Sequence, residues 1–141
     1  MSLPTPEPGL VIRYSYLWLS EHQDGREDGS KDRPCAIVLA VSDRDGHMQV
    51  LVVPVTHSPP ANPADALEVP AAIKRHLGLD TERAWVVLTE SNPFEWPGPD
   101  LRRDGNSVAY GVLPPRFFAE LRRRFVALET AARSRRVRRS E

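Results

Sequence analysis

Arg33 and the pair Thr56-His57 bracket two apolar runs, CAIVLAVS and MQVLVVPVT, joined by the polar turn RDGH. A chain that turns once and returns brings its two ends to one place, so a guanidinium, a hydroxyl and an imidazole can meet there. The polar segment leading into Arg33 adds carboxylates, Glu27 and Asp28, to the same end. Fixed positive charge, a hydroxyl donor and groups able to move protons suit a phosphodiester, whose reaction builds extra negative charge at phosphorus. His57 fits either proton role, because imidazole titrates close to working pH. Glu27 or Asp28 is the rival base.

The elements that must position these residues are readable as short strands. GLVIRYSYLW, at 9 to 18, is rich in aliphatic and aromatic side chains and is expected to be the first strand. LSEHQDGREDGSKDR has two glycines and no apolar periodicity, so a surface loop is expected. The hairpin follows, and Pro54 near its end predicts a missing ladder hydrogen bond, as at an edge or bulge. LEVP suggests a further strand, and Pro70 before AAIKRHL with Gly78 after it predicts a short helix over 70 to 77. AWVVLTES is expected as another strand, NPFEWPGPD as an irregular segment, and VAYGVLP as a brief extended stretch.

A closing helix is expected from Pro114 or Pro115. Phe117, Phe118, Leu121, Phe125, Leu128 and Ala132 recur every three or four residues and form its apolar stripe. Five or so strands and one terminal helix predict a mainly β protein, most simply a small, strongly bent antiparallel barrel over 1–132. RSRRVRRSE, from 133 to 141, is expected to fray into a basic, disordered tail.

Composition narrows the class. With 141 residues the chain suits one domain, and its 14 prolines favour short strands and rigid turns over long helices. One cysteine, no secretory leader pattern at MSLPTPEPG and no apolar run near the span of a bilayer make a cytosolic protein without membrane segments the expectation. The formal net charge of zero hides an asymmetry: residues 1–115 carry 10 Lys/Arg against 16 Asp/Glu, whereas 116–141 carry nine Arg against three Glu. Such a basic end attracts nucleic acid or an acidic partner. Phosphate-loop, dinucleotide, HExxH and CxxC patterns are all missing, the four histidines lack metal-ligand spacing, and neither a metal nor a cofactor is expected.

The order of these pieces resembles a known family. DRPCAIVLAVS is similar to the R-P-x-x-V-L-S motif, and VLVVPVTHS to the V-P-x-T motif, of the MazF/PemK toxin endoribonucleases. GLVIRYSYLW resembles that family's first strand, WVVLTESNPFEWPGPDLR its last core strand, and LPPRFFAELRRRFVAL its closing helix. The resemblance covers 9 to about 128. It implies an SH3-like barrel of the MazF/CcdB type, a homodimer, a cognate antitoxin protein as partner, and metal-independent cleavage of single-stranded RNA to a 2′,3′-cyclic phosphate. Carried over by position, Arg33 and Thr56 match the catalytic Arg and Thr, with Asp28 or Glu27 as the acidic residue before the Arg.

The long mixed-charge loop and the WPGPD insert depart from the family pattern. In the reading that results, Arg33 steadies charge, Thr56 holds a non-bridging oxygen, and Glu27, Asp28 or His57 is the base. Trp96 stacks on a nucleobase, and Lys31 and Asn92 are further substrate-binding candidates. Two other functions stay open at this stage: a CcdB-like poison that binds without cutting, and a degenerate RNA-binding member.

Overall fold

The computed structural model describes residues 3–23, 32–102 and 107–138. Glu27, Asp28 and Lys31 therefore lie outside the described residues. The chain is mainly antiparallel β. Its strands are β1 (Leu10–Tyr14), β2 (Arg33–Ser42), β3 (Met48–Thr56), β4 (Ala66–Glu68), β5 (Trp85–Val87), β6 (Glu90–Trp96), β7 (Ala109–Val112) and β8 (Arg135–Arg136). Among the described residues three α-helices accompany them, α1 (Leu19–Gln23), α2 (Ala71–Leu77) and α3 (Pro115–Thr130), with a 3-10 turn at Pro63–Asp65. Among the described residues no helix is long and apolar enough to cross a membrane.

β2 and β3 form the central hairpin. Gly46 takes a positive φ of 81° in its turn, and the Asp43 carboxylate accepts from the Asp45 and His47 amides, which shapes the reversal. The sheet runs β4-β5-β3-β2-β1-β7, with β6 also on β3 and β8 on β6. The hairpin's apolar runs are near-continuous because both faces of the sheet are covered. Ala36, Val38, Leu51 and Val53 face a cluster closed by Ile73, Leu121, Phe125 and Leu128 from the helices. Cys35, Ile37, Val50 and Val52 face a second cluster with Ile12, Tyr14, Tyr16 and Phe94, in which Tyr14 and Phe94 stack at 4.6 Å.

Pro54 explains why the strand count exceeds the expected five. β3 pairs with β6 through Val52 and with β5 from Val55 onward, so Pro54, which has no N–H, sits in the gap where the partner changes. That gap divides the expected AWVVLTES strand into β5 and the start of β6. NPFEW, expected to be irregular, continues β6 instead. Pro93 is tolerated there because, beyond Ser91, β6 has no described partner on its outer side. The expected loop from Leu19 likewise begins with the short helix α1.

α2 ends as its sequence suggests, with Gly78 left-handed at φ 70° and the Gly78 and Leu79 amides returning to Arg75 and Lys74. α3 buries Leu121, Phe125 and Leu128 and half-buries Phe117 and Phe118. Ala132 falls outside the expected stripe, since the helix has ended and the residue is exposed at a positive φ.

Over 133–138 the C-terminal segment corrects the expected frayed tail, whose last residues, 139–141, lie outside the described residues. Arg135–Arg136 pair in parallel with Glu90–Ser91, and Val137 is only 2 % exposed. Arg133 pairs with Asp65 and Arg136 with Glu129, while Glu120 accepts from both Arg123 and Arg124, which holds its carboxyl down to about 2. Four of the nine arginines of the basic end, Arg123, Arg124, Arg133 and Arg136, are thus ion-paired within the fold. The paired arginines offer less free charge to a nucleic acid than their number in the sequence implies.

Candidate functional site

The hairpin register builds the site. Cys35 pairs with Pro54, and two further steps along the same register set Arg33 across from Thr56. Both residues line one groove of about 840 Å³. Arg33 donates from Nη1 to the Val55 carbonyl at 3.4 Å, and its guanidinium lies 4.9 Å from the Trp18 ring centroid. The Nε of Arg33 is buried and has no hydrogen-bond partner among the described residues. A buried donor without an acceptor is costly. Thr56 Oγ1 accepts from the Ser58 amide at 3.2 Å, so its own O–H remains a donor.

Sequence reasoning missed four residues of this groove. Arg13 of β1 donates to the Tyr110 hydroxyl and also stacks 4.2 Å over the Tyr110 ring, with Tyr110 supplied by β7. Lys74, on the buried side of α2, is 7 % exposed and donates to the Thr81 and Glu82 carbonyls at 3.3 and 2.6 Å, tying down the loop after Gly78. Trp18 supplies the aromatic wall that had been sought in Trp96. The one available signal was Arg13 itself, a lone charge within the apolar run of β1.

Three cations from three different elements, Arg13, Arg33 and Lys74, therefore line one groove. Asp32 and Asp80 bring carboxylates to it, and Asp32 is paired with Arg102 at 3.3 Å.

His57 lines the groove but is heavily engaged. Nδ1 lies 2.8 Å from the Arg83 carbonyl, and Nε2 lies 3.0 Å from Asp80 Oδ2 and 3.7 Å from Glu82 Oε2. Both ring nitrogens thus face oxygen acceptors, and the tautomer decides which contact is a hydrogen bond. The His57, Asp80 and Glu82 donor atoms lie within 4.8 Å of one another, close enough to share a cation, although exposed acidic groups often cluster this way without one.

Two expected substrate contacts need correction. Trp96 pairs with Met48, eight residues along β3 from Thr56, or about 26 Å at strand rise. It packs on Phe94 at 6.2 Å and does not line the groove. Asn92 is fully buried, with every polar atom engaged: Oδ1 accepts from the Leu17 amide at 2.8 Å, and Nδ2 donates to the Leu17 and Val137 carbonyls at 2.9 and 3.2 Å. It can touch no substrate from there.

Behind the Trp18 wall, Glu90 accepts from the Leu19 amide at 2.9 Å and from the Tyr16 hydroxyl at 3.2 Å. Burial raises its carboxyl above the ordinary value, and the two hydrogen bonds oppose that only in part. The folded state thus holds this proton more tightly than the unfolded chain does. Its stabilising contribution is fully present below the ordinary carboxylate value of 4.5 and is lost as pH rises through the raised folded value. Glu90→Gln keeps an acceptor for Leu19 without the buried charge. Its melting temperature at pH 7 is expected to rise above that of the native chain, and the gap to close at pH 4; thermal melts across that range check both.

Comparison of the chain with family models, curated proteins and solved structures gives no match.

Proposed function

We propose that this chain is a metal-independent endoribonuclease acting on single-stranded RNA, the toxin half of a toxin-antitoxin pair on an SH3-like barrel, as its resemblance to MazF/PemK implies. One observation carries the reading: Arg33 and Thr56, the two residues matched to the family's catalytic pair, face a single groove with Arg13 and Lys74. Several fixed cations in one groove suit a polyanion, and the aromatic faces of Trp18 and Tyr110 suit unpaired bases.

In the proposed reaction the substrate's 2′-oxygen attacks the adjacent phosphorus and the 5′-oxygen leaves. The 2′-hydroxyl proton goes to a base, a second proton goes to the departing oxygen, and the 2′,3′-cyclic phosphate remains. Arg33 stabilises the added charge at phosphorus, and Thr56 donates to a non-bridging oxygen. His57, set between the Arg83 carbonyl and the Asp80 and Glu82 carboxylates, is the candidate for the acid role. Asp80 or Asp32 joins Glu27 and Asp28 as a base candidate, since both carboxylates line the groove. A cytoplasmic homodimer held in check by an antitoxin protein completes the proposal.

Incubating the purified chain with long single-stranded RNA in EDTA tests the core of it. Fragments ending in 2′,3′-cyclic phosphate are expected. Cleavage that appears only with added divalent ion would remove the metal-independent mechanism and turn attention to His57, Asp80 and Glu82. RNA left intact across many sequences would leave a binding module of the CcdB kind. Light scattering addresses the dimer, for which a mass near twice that of one 15.8 kDa chain is expected.

A further inference from the structure

The segment from Leu17 to Leu19 is not part of any strand, yet it carries Trp18, the ring on which Arg33 rests. Three consecutive amides there are held by side chains instead of by a backbone ladder. The Leu17 amide goes to Asn92, that of Trp18 to Glu21 at 3.1 Å, and that of Leu19 to Glu90. Two of these three acceptors come from β6, and the C-terminal segment docks on that same strand.

The docking is extensive for so short a piece. Ser134 donates from Oγ to the Leu88 carbonyl at 2.7 Å, the Arg135 amide goes to Thr89 at 3.0 Å, and the Val137 amide goes to Ser91 at 2.7 Å. Asn92 then joins the two segments, because its single amide group donates to the Val137 carbonyl and grips Leu17 from both sides. Removing Val137 would leave Asn92 short of one partner in a site with no exposure.

We infer that residues 134–137 are a strap that fixes the Trp18 wall of the groove through Asn92, which makes Asn92 a positioning residue and Trp18 and Arg33 the groups it positions. The inference rests on the proposed nuclease function only where activity is concerned.

Amide hydrogen exchange by NMR, comparing the full chain with one ending at Arg133, tests it directly. The Leu17 amide is expected to exchange about tenfold faster in the shortened chain, relative to the central-strand amides of Ile37 and Val52. RNA cleavage should lose about tenfold in kcat/KM. If Leu17 exchange tracks Ile37 and Val52, the strap only stabilises the fold as a whole and the inference is overturned. Should the shortened chain not melt cooperatively, Val137→Ala in the full chain takes its place, with about threefold faster Leu17 exchange expected and the same ratio deciding. Local loosening at Leu17 in a native chain that cuts no RNA would leave the strap standing and count against the nuclease alone.

Discussion

Arg33→Ala is expected to lower RNA cleavage by about 10²–10³-fold while leaving the melting temperature close to that of the native chain. The side chain sits at the start of β2, partly exposed, and is held by one long hydrogen bond and the face of Trp18. Little of the fold depends on it. Catalysis would depend on it because its fork supplies fixed charge where phosphorus becomes more negative. Arg33→Lys sharpens the test. It keeps the charge and loses the planar fork, so a rate between those of the native chain and the alanine variant is expected. Trp96→Phe serves as control, since the ring lies at the far end of β3 and its replacement should leave cleavage unchanged. Native-like rates in Arg33→Ala, measured with the same RNA and buffer, would remove the groove from the reaction.

Asn92→Leu is expected to be among the most destabilising single changes on β6. Leucine has nearly the same bulk but no polar atom, so the Leu17 amide, the Leu17 carbonyl and the Val137 carbonyl all lose a partner inside the protein. At about 1–3 kcal/mol for each buried polar group left unpaired, discounted for relaxation of the strap, the loss should reach about 3–5 kcal/mol. In urea that moves the midpoint down by about 2 M for a chain of this size. A shift within a few tenths of a molar unit would show that water or rearrangement satisfies these groups cheaply. Asn92→Asp separates shape from hydrogen bonding: it retains the acceptor for Leu17 but turns two donors into acceptors facing carbonyls, and should also destabilise.

How much of this was legible beforehand differs by residue. The hairpin was readable because two near-continuous β-branched runs flank an Asp-Gly turn, and that pattern dictates which strands pair. The register set at the turn would bring Arg33 opposite His57, and the bulge between Ile37 and Leu39, which the sequence did not announce, moves it opposite Thr56. α2 was readable from Pro70 and Gly78, and the core of α3 from the spacing of Leu121, Phe125 and Leu128. Trp96 misled because FEWPGP has the composition of an exposed loop, while its actual place is set by cross-strand pairing with Met48. The arginine-rich end misled in a similar way. Its charge pattern reads as a solvated tail, but Arg136 folds back on Glu129 of α3 and Arg133 meets Asp65, which lies 68 residues away.

By itself, then, the sequence determined the mainly β class, the central hairpin and the meeting of its two polar ends, because these follow from local periodicity and a single turn. Tertiary structure alone decided what else faces that meeting point. Arg13 and the nearby Trp18, Lys74, and Tyr110 come from three regions far apart in the chain, and only the packing of β1, β7 and α2 around the hairpin brings them to one groove. It also decided the role of Asn92. An amide side chain in a polar-looking stretch can face water or bridge buried backbone, and the difference lies in whether distant segments, here Leu17 and Val137, arrive with groups that only it can satisfy.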